Sequence, residues 1–93
     1  MKVQFFAYLR SPEYASCKEV SVSGVGTVRE LGLKLGEMYG SKFLEEFFTP
    51  DRSALGERII VLVNGRRTDF LQGADTPLRE TDTVSVFPVV AGG

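Results

Sequence analysis

Residues 76–93 read TPLRETDTVSVFPVVAGG. Residues 83–87 alternate polar and apolar side chains, which is the two-residue period of a half-buried strand. Val84 and Val86 share one face and point inward; Ser85 and Phe87 share the other. Pro88 has no N–H to give to a ladder, so regular pairing is expected to end there. Val89-Val90-Ala91-Gly92-Gly93 then reads as a flexible tail whose last two residues have no Cβ. Just before the strand, Glu80-Thr81-Asp82 is a turn by composition. Leu78 is placed to anchor the crossover to the core.

Working outward, residues 58–63 (RIIVLV) form a nearly continuous branched apolar run. Such a run suits a strand buried on both faces or one with a partner face. Asn64-Gly65 is the strongest short hairpin signal in the chain. Residues 66–69 (RRTD) read as the return strand, charged as an exposed edge should be. Farther upstream, Thr27-Val28-Arg29-Glu30 is a capping box. The Thr27 hydroxyl can accept from the Glu30 N–H, and the Glu30 carboxylate can reach back to the Thr27 N–H. Val28, Leu31, Leu35 and Met38 follow at helical spacing, with Tyr39 beside them, and Gly40 is a natural stop. Gly32 and Gly36 cost the helix about 1 kcal/mol each relative to Ala, so they either serve close packing on the sheet or are tolerated.

Residues 41–48 (SKFLEEFF) read as a short second helix capped by Ser41. Its four large apolar residues span more than one face, so at least one should pack under a loop. Residues 49–57 read as a mobile loop. Residues 19–23 (EVSVS) alternate as a short strand with Val20 and Val22 inward. Gly24-Val25-Gly26 lacks the third glycine of a dinucleotide-binding turn, because Arg29 stands in its place; it is read as a tight connection into the helix. Residues 2–9 (KVQFFAYL) read as the first strand, ended by Ser11-Pro12. Val3, Phe5, Ala7 and Leu9 form its core face and Lys2, Gln4, Phe6 and Tyr8 the other. The element order predicts an α+β layer: a mixed sheet of four to five strands, one main helix across it, and the first and last strands as parallel neighbours.

Composition sets the outer limits. Ninety-three residues make one domain, 1–93, with the tail at 89–93. Eleven basic and twelve acidic residues leave a net charge of −1, which gives no bulk-charge case for nucleic acid or an acidic membrane. The absence of His removes a His zinc site, a His general base and a Ser-His-Asp triad. A single Cys, Cys17, allows no internal disulfide and fits a reducing compartment; with no activating motif around it, it reads as incidental. No signal peptide or membrane-length apolar run is present, so a soluble cytoplasmic protein is expected. Nothing here supports catalysis by the chain alone.

Several stretches together resemble the MoaD/ThiS family of ubiquitin-like β-grasp sulfur carriers. They are FFAYLR at 5–10, TVREL at 27–31, VLVNGRR at 61–67, TPLRETDTVSVFP at 76–88 and the final VVAGG. The resemblance covers nearly the whole chain, least so residues 41–57. The MoaD branch, the small subunit of molybdopterin synthase, looks closest. Residues 88–91 read Pro-Val-Val-Ala where bacterial MoaD proteins often have Pro-Pro-Val-Thr; a Val-Ala-Gly-Gly ending also resembles the ThiS carriers of thiamine thiazole synthesis. Archaeal modifiers of this fold, conjugated to lysines, look much the same.

The resemblance implies a mechanism. A MoeB-like enzyme of the ubiquitin-activating type adenylates the Gly93 carboxylate with ATP and magnesium. A persulfide sulfur then displaces the adenylate to give a thiocarboxylate. A MoaE-like large subunit receives the tail, in which Gly92 supplies freedom, and sulfur passes to the pterin of the molybdenum or tungsten cofactor. The chain itself binds no cofactor. The expected partner interface is the open sheet face, Phe6, Tyr8, Ile60, Leu62 and Phe87, with Val89, Val90 and Ala91 of the tail. The competing arrangement folds the short helix or the 49–57 loop over that face. Arg66, Arg67 and Arg79 read as solvated surface charge unless acidic partner residues meet them.

Overall fold

The computed structural model describes residues 1–5 and 19–88. Strands β1 (Lys2–Phe5) and β2 (Glu19–Ser21) are followed by helices α1 (Val28–Tyr39) and α2 (Ser41–Phe47). Strands β3 (Ile59–Val63) and β4 (Arg66–Arg67) come next, then 3₁₀ turns at Thr68–Phe70 and Gly73–Asp75, then β5 (Thr83–Pro88). The five strands form one mixed sheet in the order β2-β1-β5-β3-β4. β1 runs parallel to β5, with Phe5 beside Val86 and Val3 beside Val84. β3 runs antiparallel to β5, from Ile59 opposite Pro88 to Val63 opposite Val84. The last strand is therefore the central one, and its parallel pairing with the first matches the expected topology. Pro88 still lies within β5, one residue beyond the expected end of pairing.

Alternation sorts the two sheet faces. Val3 and Phe5, Ile59, Val61 and Val63, and Val84 and Val86 are buried on one face. Residues 58–63 allowed burial on both faces; in β3 buried and half-buried residues alternate instead. Against the buried face lie Val28, Leu31 and Leu35 of α1 and Phe43 and Phe47 of α2, in one hydrophobic cluster. Each such side chain contributes roughly 1.5–3 kcal/mol by leaving water. Both helices thus sit on the same side of the sheet.

The start of α1 is capped, though not quite as a reciprocal box. Thr27 Oγ1 accepts from the Glu30 N–H at 3.1 Å. The Glu30 carboxylate accepts from the Gly26 N–H at 2.7 Å rather than from that of Thr27. Residues 26–28 are held extended by pairing with residues 76–78, through Val28 N–H to Thr76 O and Leu78 N–H to Gly26 O. That pairing turns the Gly26 N–H toward the first helical turn. Leu78 is buried, as its anchoring role requires.

Gly32 and Gly36 face α2, not the sheet. A Cβ at Gly32 would run into the rings of Phe47 and Phe48, and one at Gly36 into Leu44. This widens the buried stripe of α1 toward its glycine side and leaves Met38 out of it, 47 % exposed. Tyr39 takes the place expected of Met38, packing edge-on to Phe5 with ring centroids 6.0 Å apart. Gly40, at φ 102°, both stops α1 and starts α2. Ser41 is consequently the first residue of α2 and makes no side-chain cap.

Phe43, Phe47 and Phe48 all enter the core, Leu44 packs half-buried against it, and Phe48 bridges Leu55 of the following loop. Phe43 stacks on Phe47 at 5.4 Å and meets Phe5 edge-on at 6.1 Å. The 49–57 segment, expected to be mobile, is closed by hydrogen bonds. Thr49 N–H donates to Ala54 O, Arg52 N–H to Thr49 O and Gly56 N–H to Phe47 O. The Asp51 carboxylate accepts from the Ser53 hydroxyl at 2.7 Å, the Ser53 N–H at 3.0 Å and the Thr49 hydroxyl at 2.8 Å. The Ser53 side chain first, then its backbone, pulls the Asp51 carboxyl down to about 2. Arg29 of α1 ties this loop in place, donating to Arg52 O at 2.7 Å and pairing with Asp75 at 3.2 Å.

Two strands are shorter than the sequence suggests. β2 stops at Ser21, although Val22 is buried beyond it. β4 has only Arg66 and Arg67; Thr68 leaves the ladder, enters a 3₁₀ turn and is buried. A buried Thr cannot keep the alternation of an exposed edge, so the chain turns under. β1 is described only to Phe5, and Ala7, Tyr8 and Leu9 lie outside the described residues.

Candidate functional site

Two structural features bear on function: the sheet face away from the helices and the end of β5. On that face Ile60 stands directly opposite Phe87, and Leu62 opposite Ser85. All four are half-buried. Directly opposed side chains in an antiparallel pair touch, so Ile60 and Phe87 form one apolar spot with Leu62 diagonal to it. A polar rim surrounds the spot. Ser85 Oγ donates to Gln4 Oε1 at 3.5 Å, and Gln4 Nε2 donates to Glu19 at 3.3 Å. Arg67 borders the other side, opposite Leu62. An apolar centre with a polar rim is the anatomy of a protein interface.

Ile60, Leu62 and Phe87 are thus brought together as the alternation predicts. Neither α2 nor the 49–57 loop covers them. α2 is buried against Phe5 on the opposite face, and the loop is pinned to α1 through Arg29. Phe6, Tyr8, Val89, Val90, Ala91, Gly92 and Gly93 lie outside the described residues, as does Cys17.

The end of β5 is fixed by the network at its start. Asn64 and Gly65 adopt φ 52° and 85°, the left-handed pair that a two-residue hairpin needs. Asn64 Nδ2 donates to Asp82 Oδ1 at 2.9 Å, and Asn64 Oδ1 accepts from the Thr83 N–H at 2.9 Å. Asp82 Oδ2 accepts from the Arg79 N–H at 2.8 Å. The Asn64 amide and then the Arg79 N–H hold the Asp82 carboxyl below the usual carboxylate range. This clasp locks the register of β3 against β5. A one-residue slip would turn Phe87 to the core. Asn64 was legible only as a hairpin residue; its bonds to Asp82 and Thr83 join positions far apart in sequence.

Among the described residues, no group of His, Cys, Asp and Glu could hold a metal ion. No helix among them is long and apolar enough to cross a membrane. Sequence reading missed Phe70, which is 81 % exposed beneath Arg67 at 5.9 Å from its ring centroid. The sequence around it carries no local signal of outward display.

The ThiS family matches residues 3–93. A protein of Archaeoglobus fulgidus, provisionally assigned as a sulfur carrier protein, is 39 % identical over 67 residues, which is 72 % of this chain and 74 % of that one. The small archaeal modifier protein 1 of Methanosarcina acetivorans superposes with a TM-score of 0.80 at 32 % identity, covering 99 % of this chain and 94 % of that one. A provisionally assigned molybdopterin converting factor subunit 1 of Pyrococcus furiosus superposes with a TM-score of 0.65 at 29 % identity, covering 96 % and 95 %. With its five-stranded mixed sheet and helices on one face, the chain has the ubiquitin-like β-grasp fold and belongs to the ThiS/MoaD family of ubiquitin-like sulfur carrier proteins.

Proposed function

We propose that the chain carries sulfur as a thiocarboxylate on Gly93 and delivers it for molybdopterin synthesis as the small subunit of molybdopterin synthase. The carrying observation is positional. β5 is the central strand, clasped at its start and described to Pro88, the residue before the 89–93 segment, and the family match runs through Gly93. The likeness to the Pyrococcus molybdopterin converting factor supports the pterin destination.

In this reading a MoeB-like enzyme uses ATP and magnesium to activate the terminus. A Gly93 carboxylate oxygen attacks the α-phosphorus and pyrophosphate leaves. The terminal sulfur of a persulfide attacks the acyl carbon and AMP leaves, giving an acyl disulfide. A thiol then attacks the inner sulfur. The S–S bond breaks, its electron pair stays on the acyl sulfur as thiocarboxylate, and a disulfide remains behind. Splitting one hard acyl substitution into steps with good leaving groups is the logic of covalent catalysis. Ile60, Leu62 and Phe87, with Phe6, Tyr8 and Val89 to Ala91, dock the carrier on this enzyme and on a MoaE-like large subunit. The reactions take place in the cytoplasm.

Intact mass tests the chemistry. Incubation with activating enzyme, ATP and a persulfide donor raises the mass by about 16 Da, sulfur replacing oxygen. A chain lacking Gly93 shows no gain; an unchanged gain overturns the proposal. Sulfur transfer to the pterin precursor by the complex with the large subunit tests the destination. A second reading, conjugation to lysines as a ubiquitin-like modifier, is favoured by the likeness to the small archaeal modifier protein. It predicts Gly-Gly remnants on target lysines in digests of cell extract. Failure of pterin transfer with thiocarboxylate formation intact would leave that role or a ThiS-like role in thiamine thiazole synthesis.

A further inference from the structure

We infer that a groove at the pole of the sheet opposite the tail is a second docking site, one that takes an acidic peptide segment bearing an apolar side chain. The groove measures about 760 Å³ and lies between the β3–β4 turn and the crossover into β5. Val63, Leu71 and Pro77 give it apolar walls, and Arg66 and Arg79 give it charge.

The other arginines nearby have partners. Arg67 pairs with Asp69 at 2.6 Å and Arg29 with Asp75 at 3.2 Å. Asp82, the carboxylate of the groove, already accepts from Asn64 on one oxygen and from the Arg79 N–H on the other. Among the described residues no carboxylate lies within ion-pair distance of the Arg66 or Arg79 guanidinium. Two arginines against a single lining carboxylate, Asp82, leave the groove positive within a chain of net charge −1. A carboxylate meets an arginine in two parallel hydrogen bonds, which is the strongest form of such a contact. Beside the charge, Phe70 and Leu71 are 81 % and 39 % exposed and offer an apolar side chain a place to lie. A basic segment would be repelled, and the apolar walls disfavour a polyphosphate.

Position gives the site its use. Val63 pairs with Val84, four residues before Pro88 on β5. At roughly 3.3 Å per residue the groove is about 13 Å from the point where the tail departs. A partner can therefore hold the carrier here while the tail sits in an active centre. This site does not depend on the thiocarboxylate reading, since its binding partner needs no access to Gly93.

The test is an amide-resolved NMR titration of the whole chain with the capped peptide acetyl-DELED-amide. Shifts should gather at residues 63–66, 70–72 and 76–82 and weaken at least about tenfold between about 20 and 300 mM salt. Arg66→Gln with Arg79→Gln should weaken binding about tenfold again while distant resonances stay in place. If that variant misfolds, Leu71→Ser against the same peptide and acetyl-DESED-amide against the native chain supply the apolar half of the test. Absence of shifts up to about 5 mM peptide overturns the proposal. So does equal binding of acetyl-KKLKK-amide, shifts centred on Ile60 and Phe87, or tighter binding of a short oligothymidylate.

Discussion

Asp82 sits where one side chain governs strand register. Its carboxyl is held below the usual range by the Asn64 amide and then by the Arg79 N–H. A folded-state value below the unfolded one stabilises the protein above the unfolded value of about 4 and loses that contribution as pH falls through the folded value. Asp51, drawn down to about 2 mainly by Ser53, adds to the same trend on an exposed loop. Thermal midpoints measured from pH 7 downward should therefore fall as pH drops from about 4 toward about 2. Asp82→Asn should lower the midpoint at pH 7 and flatten the acid limb. A variant profile running parallel to that of the native chain would show that the clasp carries no linked proton. The sequence announced the Asn64-Gly65 turn by its left-handed preference. It did not announce the clasp, because a hydrogen bond across 18 residues has no local signature.

Between elements, the telling contact is α1 on α2. Sequence placed both helices and the stop at Gly40 correctly, because periodicity and positive-φ glycine are local properties. It assigned Gly32 and Gly36 to the sheet or to mere tolerance, and it included Met38 in the buried stripe. The second helix overrides both readings by nesting its Phe47, Phe48 and Leu44 on the glycine side. Gly32→Ala gains about 1 kcal/mol in helix propensity and loses roughly 1–3 kcal/mol to overpacking against two rings fixed in the core. The expected result is a net loss, a fall in thermal midpoint of several degrees. Gly36→Ala should cost less, because Leu44 is half-buried and can swing. Calorimetry of both variants separates the cases. A rise for Gly32→Ala would contradict the seating of α2.

At the scale of the whole molecule, the fold separates three tasks. The helix side of the sheet holds the core. The other face presents Ile60, Leu62 and Phe87, and the two poles of β5 hold the charged groove and the point of tail departure. Leu62→Ser should leave the chain folded at a cost of about 1 kcal/mol, since the side chain is only half-buried. Under the proposed function it should slow adenylation by an activating enzyme about tenfold by weakening docking. Kinetics with carrier concentration varied would place the effect in KM. An unchanged KM would move the docking surface elsewhere.

By itself the sequence determined what depends on neighbours along the chain. The strand alternations, the capped helix, the Asn-Gly hairpin, the terminal glycines and their family resemblance needed no coordinates. Alternation also settled which residues of β3 and β5 share the outer face, since a pleated strand has only two faces. The tertiary structure decided everything that joins distant segments. It turned the two α1 glycines toward α2, closed the 49–57 loop on Asp51 and gave the Glu30 carboxylate to Gly26. It also cut β4 short to bury Thr68, and it left Arg66 and Arg79 facing one groove. Local preference is a matter of roughly 1 kcal/mol per residue, and packing among buried rings and crossing segments is larger, so where the two disagreed the packing prevailed.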